Sequence, residues 1–151
     1  MLGFPRKLVY AIEAVVDIAY NAADEPVQSG EVTRRQGIPR RYLEPVLQQL
    51  VRAGVLAGVR GPRGGYRLAK ERRLITLGDI ARVVIAIEGE DESVPADSPS
   101  EIGRKVVQPL CHELRSETYE RLDGITVEEL CRRARGEGVE SEAARRLDYS
   151  I

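Results

Sequence analysis

Glycine and proline cut the first half of this chain into pieces too short for anything but small elements. Gly37 and Pro39 nearly touch, Gly54 follows fifteen residues later, and the run Gly61-Pro62-Arg63-Gly64-Gly65 comes directly after. Before these breaks, Leu8, Ile12, Val15, Val16, Ala19 and Ala23 recur at helical spacing, which predicts an amphipathic helix from about Pro5 to Ala23. Asp24-Glu25-Pro26 ends it. Ser29 suits an N-cap with Glu31 in the first turn, and Gly37 suits the left-handed closing position, so a helix of barely two turns fits between them. Pro39 opens a third helix where its missing N–H costs nothing, and Leu43, Val46, Leu47 and Leu50 supply its core stripe up to Gly54. Two helices joined by a tight turn make a helix-turn-helix pattern.

Val55 to Arg60 and Tyr66 to Ala69 then read as two strands of a hairpin around the glycine-rich turn. Thr76 and Asp79 have capping-box spacing, and Leu77, Ile80, Ala81, Val84 and Ile87 continue a fourth helix ending at Gly89. The acidic stretch 90–100 (EDESVPADSPS) reads as a mobile linker. Beyond it, Ile102, Val106, Val107, Leu110 and Leu114 mark a long helix in which Pro109 is either a kink or the true first turn. Thr126 and Glu129 cap a last helix ending at Gly136, and the tail from Glu137 has weak periodicity and is expected to fray. The division expected is 1–89 as a first domain, 90–100 as linker, 101–136 as a second helical unit and 137–151 as tail. The second unit is too thin to bury a core alone, so its stripe meets either the first domain or a second copy, and self-association is favoured. The fold class is mainly α (α+β), a winged helix with an appended helix.

Composition narrows what such a fold does. The net charge of −1 hides a division: residues 1–75 carry 13 Lys+Arg against 7 Asp+Glu, and residues 76–151 carry 10 against 17. Between Gln28 and Arg73 the balance is 11 basic to 3 acidic. A basic half on an acidic half suggests a polyanion-binding module. No apolar run approaches the ~20 residues of a membrane span, and residues 1–6 lack the pattern of a secretory signal, so a cytoplasmic protein without membrane contact is expected. One histidine, no tryptophan and no nucleophile motif leave catalysis without a mechanism, and no catalytic residue is assigned.

If Leu43, Val46, Leu47 and Leu50 face the core, the opposite face of the third helix carries Arg40, Arg41, Glu44 and Gln48. Arginine can fork onto guanine and a carboxylate can accept from the cytosine amino group, so this surface can read a major groove; a solvated helix face is the plain alternative. Arg60 and Arg63 project from the hairpin, suited to phosphates or a narrow minor groove. The turn lacks the G-x-x-x-x-G-K-[ST] spacing of a phosphate loop.

Tyr10-Ala11, Gly37-Ile38, Tyr42-Leu43-Glu44, Ala53-Gly54, Val59-Arg60-Gly61-Pro62, Gly64-Gly65-Tyr66-Arg67-Leu68 and Ile75-Thr76-Leu77-Gly78-Asp79-Ile80 together resemble the Rrf-two family of bacterial transcription regulators, over about Lys7 to Glu88. Ile125-Thr126-Val127-Glu128-Glu129-Leu130 resembles the family's short helix after the dimerisation helix. The resemblance implies a homodimeric repressor on an imperfectly palindromic double-stranded DNA operator, with Glu44 reading a base, Arg60 in the minor groove and Arg6 or Lys7 near phosphates. Ser29 and Tyr42 complete the DNA-binding set, and Val106, Val107, Leu110 and Leu114 the dimerisation set. Pro45 predicts a loose first turn, or a start nearer Arg41.

Many family members hold an iron–sulfur cluster on three closely spaced cysteines in the loop after the fourth helix. Here that loop, 90–100, has none, so no cofactor and no metal site are expected. Cys111 and Cys131 lie twenty residues apart and read as small buried hydrophobes, and His112 as structural. The other reading of the chain is a regulatory protein-binding module whose C-terminal helices recruit a partner enzyme; an effector or protein partner stays open in either case.

Overall fold

The computed structural model of the chain describes residues 3–88 and 98–149. The order of elements is α1 (Arg6–Asn21), α2 (Ser29–Gln36), α3 (Arg40–Arg52), β1 (Leu56–Val59), β2 (Gly65–Leu68), a 3₁₀ turn (Arg72–Leu74), α4 (Leu77–Glu88), a π-helical turn (Gly103–Val107) running into α5 (Gln108–Asp123), α6 (Val127–Gly136) and α7 (Glu142–Tyr149). The winged helix expected from the sequence is therefore present. The expected linker falls mostly outside the described residues.

α1 is the central post of the head, packing against α2, α3, α4, α6, α7 and β2. Its buried stripe is Leu8, Ala11, Ala14, Val15 and Ile18, so alanines at two positions let neighbouring helices approach closely. Ile12, Val16 and Ala19 only flank this core, and Ala23 lies exposed beyond the helix end. The third helix buries Leu43, Val46, Leu47 and Leu50 as its spacing predicts; each such side chain contributes about 2 kcal/mol on burial. Pro45 does not delay its start: the helix begins at Arg40, and only the donor to the Arg41 carbonyl is lost.

β1 and β2 pair antiparallel, with Leu56 opposite Leu68 and Val59 opposite Gly65. The Gly64 N–H closes the turn on the Gly61 carbonyl at 2.9 Å. A methyl group on Gly64 would lie 2.2 Å from the Val59 carbonyl oxygen, and one on Gly65 2.4 Å from that of Val27. Only glycine fits either position. Val27 and Tyr66 exchange backbone hydrogen bonds of 2.8 and 2.7 Å, joining the hairpin to the residues that lead into α2.

The boundaries shift where polar contacts decide. α2 starts at Ser29, but Gln28 occupies the cap position and its N–H donates to the Glu31 carboxylate at 2.9 Å. The capping box before α4 forms as predicted, with Thr76 and Asp79 bonded reciprocally, and Thr126 caps α6 by accepting from the Glu129 N–H. Pro109 sits in the first turn of α5, and the π turn before it absorbs the break. α6 runs through Gly136, and Gly138, at φ 75°, makes the left-handed exit instead.

The division at residue 101 does not isolate α6 from the head. Leu122, Val127 and Cys131 join the same core as α1 and α4. Backbone bonds from Leu77 N–H to Ile125 and from Val127 N–H to Ile75 stitch the two segments together. A Cβ on Gly78 would meet the Asp123 carboxylate at 1.8 Å, so a glycine lets α5 end against the first turn of α4. There Arg82 clasps Asp123 with two 2.8 Å hydrogen bonds.

The tail is a second correction. Instead of fraying, it folds back over α1. The Tyr20 hydroxyl donates to the Val139 carbonyl (2.6 Å), the Ser141 hydroxyl donates to the Tyr20 carbonyl (2.6 Å), and the Glu142 N–H donates to Asn21 Oδ1 (3.1 Å).

Candidate nucleic-acid interface

Four segments carry the side chains assigned to DNA. On α3, Arg40, Arg41 and Gln48 are exposed and Glu44 is half-buried, all away from the core stripe. Arg40 Nε donates to Glu44 Oε1 at 2.7 Å, so the proposed base reader is tethered one turn from the helix start. Arg41 lies over the Tyr42 ring at 4.8 Å, and Tyr42 meets Tyr10 of α1 with ring centroids 6.1 Å apart. Because Arg6 and Lys7 precede Tyr10 by four and three residues, they share its face of α1. The ring contact therefore sets the start of α1 beside the start of α3. Arg6 is exposed and Lys7 half-buried.

Ser29 is half-buried at the first position of α2, adjacent to the Val27–Tyr66 joint. The hairpin carries Arg60 and Arg63 into solvent; Arg63 is 87% exposed, with Nη1 3.7 Å from Glu25 Oε1 in the loop before α2. A contact at that exposure is worth at most a fraction of a kcal/mol and leaves the arginine free to exchange a carboxylate for a phosphate.

The basic excess read from the sequence is not all available to a polyanion. Arg35 turns inward and donates from Nε and Nη2 to the two oxygens of Asp17, at 2.8 Å each. Gln36 Nε2 donates to the same carboxylate at 2.7 Å. Asp17 is 2% exposed, a charge inside the core stripe of α1. Its hydrogen bonds hold the Arg35 guanidinium protonated well above its ordinary range, against the opposing effect of burial. Arg35 Nη1 also lies 2.9 Å from Glu142 Oε2, close but not aligned for a hydrogen bond, and Arg34 Nη2 donates to Glu142 Oε1 at 3.0 Å. Sequence reasoning missed this network. Its one local signal was Asp17 and Asn21, two polar residues four apart on an otherwise apolar face.

Of the remaining residues, Cys131 is buried as expected; burial pushes its thiol up, against the pull of nearby Arg72. Cys111 is only half-buried and His112 is exposed on α5, so neither is core. Among the described residues, no group of three or more His, Cys, Asp or Glu side chains is placed to hold a metal ion, and no helix is long and apolar enough to cross a membrane.

A helix-turn-helix whose third helix bares an arginine-rich face beside an arginine-tipped glycine hairpin defines a winged-helix DNA-binding protein. Residues 4–133 match the family model of Rrf2, described as an iron-dependent transcriptional regulator, and the chain belongs to that family. It is 37% identical over 130 residues to the HTH-type transcriptional regulator IscR of Photobacterium profundum, covering 82% of this chain and 72% of that one. It is 35% identical to IscR of Vibrio cholerae over 127 residues, covering 80% and 70%. Among solved structures it resembles T. potens IscR (TM-score 0.71, 32% identity, 88% of each chain) and CymR, the global cysteine regulator of B. subtilis (TM-score 0.68, 29% identity, 87% of this chain and 97% of that one). These relatives are transcriptional regulators, not enzymes. The chain is a DNA-binding transcriptional regulator, and the enzyme-recruiting reading is not favoured.

Proposed function

We propose that this regulator is a homodimeric, sequence-specific repressor that works without an iron–sulfur cluster. The observation that carries the dimer is the long helix. Ile102, Val106, Val107, Leu110 and Leu114 are 71, 59, 45, 50 and 53% exposed, a row of large apolar residues left open among the described residues. A patch of that kind on a soluble regulator marks an interface, and pairing with its own copy matches a palindromic operator by symmetry.

On the operator, each subunit lays α3 in a major groove with Glu44 accepting from a base, Arg40, Arg41 and Gln48 flanking it, and Tyr42 supporting Arg41. Arg60 enters the adjoining minor groove with Arg63 beside it, while Arg6, Lys7 and Ser29 sit against phosphates. Bound there, the dimer blocks access to a promoter. The protein acts in the cytoplasm. The cluster-free reading rests on the donor set: the chain has two cysteines, none in 90–100, and Cys131 is sealed in the core at 0% exposure. Such a set does not fit a cluster held by three thiolates of one chain.

Selection of duplexes from a random pool, followed by binding titrations, tests this reading. A palindromic consensus bound by two chains is expected, with Glu44→Ala losing about 1 to 3 kcal/mol of discrimination at one base step. Equal loss on every sequence would remove Glu44 from the reading role. Protein purified without oxygen is expected to be colourless; a brown chromophore with stoichiometric iron and sulfide would overturn the cluster-free reading.

A further inference from the structure

A cavity of about 660 Å³ lies between the end of α1, the 3₁₀ turn, the end of α6 and the folded-back tail. Its volume falls in the range of small-molecule sites, about 300 to 1,000 Å³. The tail that walls it lies beyond residue 133, where the family match ends. Arg72, Arg135 and Arg145 line it, with Glu140 the carboxylate among its lining residues. Glu140 is taken by Arg145 in an ion pair, whereas Arg72 and Arg135 make no ion pair among the described residues. Ala19, Ala22, Ala143 and Ala144 give the remaining wall an apolar character.

From this arrangement we propose that the cavity is an effector site for a small organic anion carrying two negative charges, its anionic groups on Arg72 and Arg135 and its carbon skeleton against the alanines. Two guanidiniums line one ligand-sized space, Arg72 touching only the Cys131 thiol and neither paired with a carboxylate among the described residues, so an anion entering there would meet two unneutralised positive charges. The same cavity explains how binding reaches the DNA. One wall is the tail, and the tail holds α2 through Glu142 on Arg34 and Arg35 and is itself held by Tyr20 and Asn21. A ligand that needs the folded-back tail to complete its site shifts the population toward that state, and so toward a fixed helix-turn-helix. The anion therefore raises operator affinity.

The test uses the full chain with succinate and glutarate as dicarboxylates, glycerol phosphate as a phosphomonoester, and sodium chloride at matched ionic strength. At least one anion is expected to raise the melting temperature in proportion to the logarithm of its concentration, by about 3 to 6 °C at ten times its Kd. Binding by a dicarboxylate or by the phosphomonoester alone identifies which anionic group the arginines take. Arg72→Gln and Arg135→Gln, each compared with its own ligand-free melting temperature, are expected to lose that rise. At saturation the anion should tighten binding to the selected operator at least threefold. Failure of all three anions to bind below about 10 mM, a rise that survives in both variants, or unchanged or weakened operator binding would overturn the proposal. Because operator binding by the ligand-free protein is measured alongside, such a failure is distinguishable from failure of the DNA-binding reading.

Discussion

Replacing Asp17 by alanine removes a carboxylate that accepts three hydrogen bonds of 2.7 to 2.8 Å inside the head. Its side chain is 0% exposed and that of Arg35 14%, so water cannot restore what is lost. Arg35 would be left with Glu142 alone, itself 28% exposed, and Gln36 without its acceptor. Breaking one side of a buried pair costs about 3 to 5 kcal/mol, most of it from stranding the partner charge. Taking about 3 kcal/mol because Glu142 remains, the melting temperature should fall by about 6 to 12 °C in a chain of this size. The exposed Arg40–Glu44 pair gives the contrast: its loss should cost under about 1 kcal/mol. Urea unfolding followed by circular dichroism measures both. The double variant Asp17→Ala/Arg35→Met no longer strands a charge, so it should be more stable than Asp17→Ala alone. A loss below about 1 kcal/mol in Asp17→Ala, or a double variant no better than the single, would refute the stranded-charge explanation.

Three further outcomes follow from contacts already described. Burial opposes ionisation of Glu142, but the hydrogen bond from Arg34 and the adjacent Arg35 guanidinium prevail and hold its carboxyl below the ordinary 4.5. Its stabilisation is therefore complete above that value and lost as pH falls through the lowered one, so the melting-temperature gap between wild type and Glu142→Gln at pH 7 should shrink as pH is taken below 4.5. Leu110→Glu with Leu114→Glu puts charges into the exposed apolar row of α5 and, if the proposed dimer forms there, should leave only monomer by light scattering, with the melting of the head nearly unchanged. Duplex affinity should fall steeply with salt, and Arg6→Ala should reduce the log–log slope by about 0.9, the share of one phosphate contact.

Much of the head was legible because its instructions are local. The stripe on α3, Gly37 at φ 67°, the Thr76–Asp79 box and the Thr126 cap each depend on residues within one or two turns of one another. The tail was not legible for the opposite reason. It docks through main-chain carbonyls, two hydroxyls and Asn21, over 119 to 121 residues of separation, and such contacts leave no periodicity behind. Arg35 looked like its neighbours in an arginine-rich stretch; only the packing of α2 on α1 turns it from a candidate polyanion contact into the partner of Asp17. The long helix was half legible. Its apolar row was visible in the sequence, but whether the head or a second copy covers it depends on α6, which the core claims for itself.

The joint between Val27 and Tyr66 has a bearing on how such a protein searches for its target. Because the ribbon and the entry to the helix pair hang from one pair of backbone hydrogen bonds, and glycine at 65 leaves no slack between them, the groove-filling rod and the finger beside it behave as a single rigid caliper. On the operator proposed above, a site whose neighbouring groove is too wide or too narrow would then be rejected by shape before any base is read.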